Sequence, residues 1–242
     1  MPAYSRACRP PTLAEASAAV GAILEQGIVP STLEFLDRTC IRAVESYADL
    51  GLDVDAGALL LFGDDGPPQV VAEHLAVMRD VCRHAGARRA EVATDAARAE
   101  ALLAARRCSL PALARLGSLL ILEDVTVPRP HLPEMVSRIE RTAARHGVLI
   151  GTFGHAGDGN LHPTCVIDPN DDTAVARSHA AFDHIFTAAL ELGGSITGEH
   201  GVGAAKLPYL ERHLGSDQLM LMARIKKAFD PAGILNPGKL GS

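Results

Sequence analysis

The stretch Gly154-His-Ala-Gly-Asp-Gly-Asn-Leu-His162 limits the fold of this 242-residue chain more than any other part of it. Three glycines and an Asp-Gly pair are incompatible with a helix and predict a tight turn feeding a strand. Two histidines bracket the turn, seven residues apart, whereas a helical zinc motif would space them four apart. A turn folded back on itself would aim both imidazoles at one point. A second glycine-flanked segment, Gly198-Glu-His-Gly-Val-Gly203, follows a Gly-Gly stop and a short β-type piece, Ser195-Ile-Thr197. Its Glu-His pair offers an acid–base or ligand function. Two histidines and a carboxylate from separate loops suit a Zn, Mn or Fe(II) ion with positions open to substrate. The competing reading is that His155 and His162 merely satisfy hydrogen bonds of the turn. Gly154-x-x-Gly157-x-Gly159 is not a dinucleotide fingerprint, because the spacing is reversed and no helix follows.

The rest of the chain reads as an ordinary globular protein. Apolar residues make up 48% and charged residues 21%, which excludes whole-chain disorder. The formal net charge is −6 and no Lys/Arg cluster stands out, so nucleic acid and anionic membranes are poor partners. Aromatic residues are only 4%, with no Trp, so the core must be built from Ala, Leu, Val and Ile. Cys8, Cys40, Cys82, Cys108 and Cys165 are odd in number and widely spaced, which argues against a disulfide framework and for a reducing compartment. The N-terminus has no apolar signal core. No run approaches the roughly 18 apolar residues of a membrane helix. These features predict a soluble, cytoplasmic chain without a transmembrane segment.

Strand and helix signals alternate. Thr12 and Glu15 have capping-box spacing ahead of a helix ending at Gly27, and a second helical stretch is predicted from Ser31 through Leu33, Leu36, Ile41 and Val44. Strand-like runs are Ala58–Phe62, Ala90–Thr94, Leu119–Val127 and Val148–Phe153. Further helices are predicted from Val70 to Ala85, after a cap at Asp95, from Glu134 to His146, after a cap at Asp171, and after a cap at Ser216 through Phe229. The helix after Asp171 should bury Val175, Phe182, Ile185, Phe186 and Leu190. The β-α-β pattern occurs at least twice, and by itself leaves a parallel sheet and a ferredoxin-like antiparallel sheet equally open.

The two glycine-rich loops resemble signatures of the FAD-linked oxidase C-terminal domain, of the vanillyl-alcohol oxidase and p-cresol methylhydroxylase type of flavoprotein. This domain occurs in D-lactate dehydrogenases, D-2-hydroxyglutarate dehydrogenase and the flavin subunit of glycolate oxidase. Ile28-Val-Pro-Ser-Thr-Leu-Glu-Phe-Leu-Asp37, Glu123-Asp-Val-Thr-Val-Pro-Arg129 and Phe229-Asp-Pro-Ala-Gly-Ile-Leu-Asn-Pro-Gly-Lys239 are similar to its start, middle and end. The resemblance spans about residues 10 to 240. It implies an α+β fold, a duplicated ferredoxin-like antiparallel sheet with covering helices, over residues 1–242, with the motif-bearing part at about 119–242. It implies that His155, His162 and Glu199 are ligands of a divalent metal, that His200 is the active-site base, that Arg106 holds the substrate carboxylate, and that Asn236 lies near the flavin ring. Two positions depart from the family: Leu103 replaces a Trp, and Leu122 stands where some members have a Lys.

The resemblance further implies the oxidation of a small 2-hydroxy acid to a 2-oxo acid, with FAD held mainly by a preceding domain or subunit that the chain is expected to lack. Without that half the chain should be inactive alone, and its uncovered surface suits a homo-oligomer. The alternatives are a non-catalytic remnant that binds metal or hydroxy acid, and a metal-dependent enzyme that works without flavin.

Overall fold

The computed structural model describes residues 3–8, 13–93, 95–117, 119–168 and 170–239. The first half runs β1 (Ala3–Cys8), α1 (Leu13–Glu25), β2 (Thr32–Asp37), α2 (Arg38–Ala48), β3 (Ala58–Asp64), α3 (Pro68–His84) and β4 (Arg89–Val92). Its strands are antiparallel in the order β4-β1-β3-β2, a ferredoxin-like βαββαβ unit with α2 inserted before β3. Two helices, α4 (Ala96–Arg107) and α5 (Ser109–Leu113), lead to the second half. There follow β5 (Leu119–Leu122), β6 (Val125–Thr126), α6 (Leu132–His146), β7 (Leu149–His155), β8 (Asn160–Ile167) and α7 (Ala174–Glu191). Both β5 and β6 pair with β8, which pairs with β7. A single bridge, Thr126 to Ser195, stands where the unit's fourth strand would run. This is the same ferredoxin-like order a second time, so the duplicated antiparallel fold is present. The chain closes with α8 (Leu207–Leu214) and α9 (Ser216–Phe229).

The two units join edge to edge. β2 pairs with β7 antiparallel, with Glu34 opposite His155, Phe35 opposite Gly154 and Leu36 opposite Phe153. Alternation along the strands then sorts side chains to two faces. Leu33, Phe35, Leu60, Phe62, Leu161 and Cys165 enter the larger core with α1, α3, α6 and α7. Leu36, Leu59, Leu61, Phe153 and Val166 enter a smaller core with residues of α2, α4 and α5. Because both faces of β3 are covered, the run Ala58–Phe62 is apolar throughout rather than alternating. By the same parity Glu34, His155 and His162 fall on the smaller-core face.

Several sequence expectations change. The stretch from Ser31 to Val44 is not one helix. Leu33 and Phe35 alternate as strand residues, and Asp37 then starts α2 by accepting a hydrogen bond from Cys40 N at 2.7 Å. Asp171 does not cap α7: its carboxylate accepts from Thr173 N and Oγ1 one turn ahead of the helix, and Val175 is exposed. Ser216 is the first residue of α9, behind Gly215. The strands β1 and β8 and the helices α5 and α8 carry weaker periodicity and extend the expected set. Asp95 does cap α4, accepting from Arg98 N at 2.8 Å. Gly147 closes α6 in the left-handed region, φ 60°. Thr12 and Thr94 lie outside the described residues. Cys40, Cys82, Cys108 and Cys165 are free thiols. Among the described residues no helix is long and apolar enough to cross a membrane.

Asp37 does a second task at the seam. Its other carboxylate oxygen accepts the Thr152 amide of β7 at 2.6 Å, so one buried side chain ties β2, α2 and β7 together. Asp37→Ala removes a helix cap and leaves a buried N–H without a partner, and should lower the unfolding free energy by about 3 kcal/mol. Urea unfolding with an unchanged m-value is the measurement that checks it.

Candidate functional site

The β7–β8 hairpin is closed by residues 156–159, with His155 opposite Asn160 and Phe153 opposite His162. His155 and His162 are therefore diagonal neighbours on one face of adjacent strands. Their rings meet edge-on, 5.2 Å apart at 89°. Gly159 makes the turn with φ 74°, and a Cβ there would collide with the Val127 carbonyl. The turn is thus pressed against the segment after β6.

Glu199 arrives from the loop after α7. Its Oε1 lies 3.1 Å from His162 Nε2 and 3.4 Å from His155 Nε2. One donor atom each from His155, His162 and Glu199 fall within 4.8 Å of one another. His200 stacks on His162, 5.0 Å apart and nearly parallel at 11°. Its Nε2 lies 3.9 Å from Glu199 Oε1 and its Nδ1 3.9 Å from Asp124 Oδ1.

What holds that loop is Asp124, a fully buried carboxylate at the break between β5 and β6. Its Oδ2 accepts the backbone N–H groups of Gly198 at 2.7 Å, Glu199 at 2.8 Å and His200 at 3.1 Å. Thr197 Oγ1 donates to Oδ1 at 3.1 Å. Lys206, 2% exposed, donates its ammonium to the same carboxylate and to the Asp124 carbonyl at 2.9 Å. Burial pushes the Asp124 carboxyl up. The Lys206 ammonium and the three backbone donors outweigh it and hold the group well below the usual carboxylate range. At Gly198 the loop touches β6 and β8 so closely that a Cβ would sit 2.5 Å from Thr126 Oγ1 and 2.6 Å from Asn160 Cγ.

The first unit reaches the site through Glu34. Its Oε1 lies 2.5 Å from His155 Nδ1, and its Oε2 accepts from Arg106 Nε at 2.8 Å. The Arg106 guanidinium lies over the Phe153 ring, 4.6 Å from its centre. Arg106 is thus a half-buried member of the site rather than a solvated helix residue, and its Nη groups have no hydrogen-bond partner among the described residues. Burial raises the Glu34 carboxyl, but the hydrogen bond to His155 and the charge of Arg106 bring it below its usual value. The hydrogen bond to Glu34 raises His155 against its burial. Burial lowers His162 to about 4, helped by Arg106, His155 and His200, so this imidazole is neutral near pH 7. His162 Nδ1 is buried with no hydrogen-bond partner among the described residues.

Of the six residues expected from the sequence, His155, His162, Glu199 and His200 converge, and Arg106 joins them through Glu34. Asn236 does not. It lies in a groove of about 540 Å³ whose walls include Val202, Gly203, Met222 and Phe229. Val202 and Gly203 of that groove follow His200 by two and three residues in the chain. The roles of Glu34, Asp124 and Lys206 were not assigned from the sequence. Glu34 and Asp124 sit inside the stretches 28–37 and 123–129, but an acidic residue within or between strands carries no signal of its distant partner.

The donor set fits a divalent transition ion. Two imidazole nitrogens and one carboxylate oxygen, one imidazole held neutral by burial, form a ligand set of the kind that leaves positions open.

A model of the family described as "FAD linked oxidases, C-terminal domain" matches residues 5–240. The glycolate oxidase subunit GlcD of Bacillus subtilis is 46% identical over 225 residues, covering 93% of this chain and 48% of the relative. That of Escherichia coli K12 is 37% identical, covering 93% and 45%. The mitochondrial D-lactate dehydrogenase [cytochrome] of Arabidopsis thaliana is 33% identical over 236 residues, covering 96% and 41%. The chain therefore spans about half the length of the curated relatives it matches. Two solved structures share the fold: 4-ethylphenol oxidase of Gulosibacter chungangensis in its isoeugenol complex, and p-cresol methylhydroxylase with substrate bound. Their TM-scores are 0.73 and 0.72, at 19% and 13% identity, covering 98% and 100% of this chain and 53% of each of theirs.

Asp124→Asn keeps the size of the side chain and removes its charge from beside a buried ammonium. Breaking such a pair from one side should cost about 3 kcal/mol. It should also expose residues 197–203 to limited proteolysis, read by mass spectrometry of the first cleavage products.

Proposed function

The chain belongs to the FAD-linked oxidase C-terminal domain family, and from that premise we propose that residues 1–242 act as the substrate- and metal-binding half of an FAD-dependent 2-hydroxy-acid dehydrogenase of the glycolate or D-lactate type. The observation that carries this reading is the meeting of His155, His162, Glu199 and His200 at one point on the sheet face reached by Arg106.

In such an enzyme the flavin supplies the hydride acceptor and the divalent ion supplies Lewis acidity toward the substrate oxygen. This chain's residues do the rest. His155 and His162 offer Nε2, and Glu199 a carboxylate oxygen, to the ion. His200 takes the hydroxyl proton at Nε2, the nitrogen on the Glu199 side. Arg106 keeps its Nε on Glu34 and turns its Nη donors to the substrate carboxylate, which fixes the face presented for hydride loss. Asn236, which lines a groove with Val202 and Gly203, would contact the flavin.

The FAD-binding partner, whether a domain of a longer chain or a subunit, is proposed to cover α9. None of the residues of that helix is buried. Phe229 is 83% and Ile234 75% exposed, with Met220, Leu221, Ile225 and Leu235 beside them. An apolar patch of this kind marks a protein interface, and the curated relatives are about twice as long as this chain.

With the FAD-binding half present, His200→Ala should lower kcat by about 10²–10⁴-fold and leave metal content unchanged. Arg106→Ala should raise KM with a smaller loss in kcat. Elemental analysis should find one divalent ion per chain in the wild type and less in His162→Ala. Near wild-type kcat in His200→Ala, or equal metal in His162→Ala, would remove the corresponding assignment. Phe229→Asp should weaken retention of the FAD-binding half in size-exclusion chromatography without changing metal content.

A further inference from the structure

We propose that Glu34 is a positioning residue for His155, so that the first ferredoxin-like unit tunes a metal centre whose ligands all come from the second. This inference rests on the metal reading above and deepens it.

A neutral imidazole can offer only one nitrogen to an ion, and the hydrogen bond at the other nitrogen decides which. His155 Nδ1 faces Glu34 Oε1 at 2.5 Å, while its Nε2 faces Glu199 at 3.4 Å. An ionised carboxylate only accepts hydrogen bonds, so an imidazole that gives its Nε2 lone pair to an ion keeps its proton on Nδ1, the nitrogen that faces Glu34. Glu34 is in turn fixed on both sides. Its backbone is locked opposite His155 by the β2–β7 ladder, and its second oxygen is held by Arg106 Nε at 2.8 Å. Arg106 is seated over Phe153, which precedes His155 by two residues on the same face. The chain Arg106–Glu34–His155 thus sets both ring orientation and tautomer.

His162 has no such support. Its Nδ1 is buried without a partner among the described residues, so none of them orients the second imidazole in the same way. The two histidines are therefore unequal: His155 is held in place in advance, and His162 is held by packing against Phe153 and His200.

The test is titration of Zn(II) into chelator-treated purified protein by calorimetry, with the Co(II) d–d absorption of each variant as a second readout. Loss of an orienting partner typically costs 10–100-fold in metal affinity. Glu34→Gln keeps an acceptor oxygen without charge and should bind Zn(II) about 10-fold more weakly than wild type. Glu34→Ala should bind about 100-fold more weakly and show altered Co(II) bands. Should Glu34→Ala fail to fold, the near-isosteric Glu34→Gln decides alone. Wild-type affinity and unchanged Co(II) bands in the folded variants overturn the role of Glu34 and leave the metal reading standing. A wild-type protein that takes up no Zn(II) overturns both.

Discussion

The fold and the site depend together on the pairing of β2 with β7. Each ferredoxin-like unit ends in an edge strand with unpaired backbone donors and acceptors, which is unstable in isolation and prone to wrong partners. Joining the two edges makes one continuous sheet and removes both. The same three residue pairs bring Glu34 against His155, residues separated by 121 positions. Asp37 reinforces the seam by capping α2 with one oxygen and binding the Thr152 amide with the other. A shift of one residue in this register would put Glu34 and His155 on opposite faces of the sheet.

A second constraint is the placement of negative charge at Asp124. Three successive N–H groups of the 198–200 segment converge on one oxygen, and Lys206 balances the charge from beneath. A loop with glycines at 198, 201 and 203 has high conformational entropy on its own. The buried carboxylate selects one conformation, in which Glu199 points at two imidazoles and His200 stacks on one of them. Glu199 and His200 thus lie on a glycine-rich loop and are still held firmly, since the ordering comes from Asp124, anchored between two strands.

Much of this was legible in the sequence where the physics is local. The turn at 156–159, the cap at Asp95, the stop at Gly147 and the apolar strand at 58–62 follow from residue type and spacing. The stretch from Ser31 to Val44 reads as one helix because Leu33, Leu36, Ile41 and Val44 fit a helical period, whereas the structure divides it into β2 and α2. The finer alternation of Leu33 and Phe35 is only decisive once two covered faces exist. Val175 was assigned inward on the same periodic grounds, yet it lies on the solvent side of α7.

By itself, the sequence determined that two glycine-rich loops carry histidines and a carboxylate, and that the elements alternate as repeated β-α-β. Both are short-range properties, set by backbone freedom and by side-chain period. Only the tertiary structure decided that β2 and β7 join the two units in one sheet, that Arg106 meets Glu34 across 72 positions, and that Asn236 lines a groove apart from the histidines. Those outcomes rest on strand register and on the pairing of buried charges. Both are contacts between distant segments, and their energies appear only when burial takes the polar groups out of water and leaves them to one another.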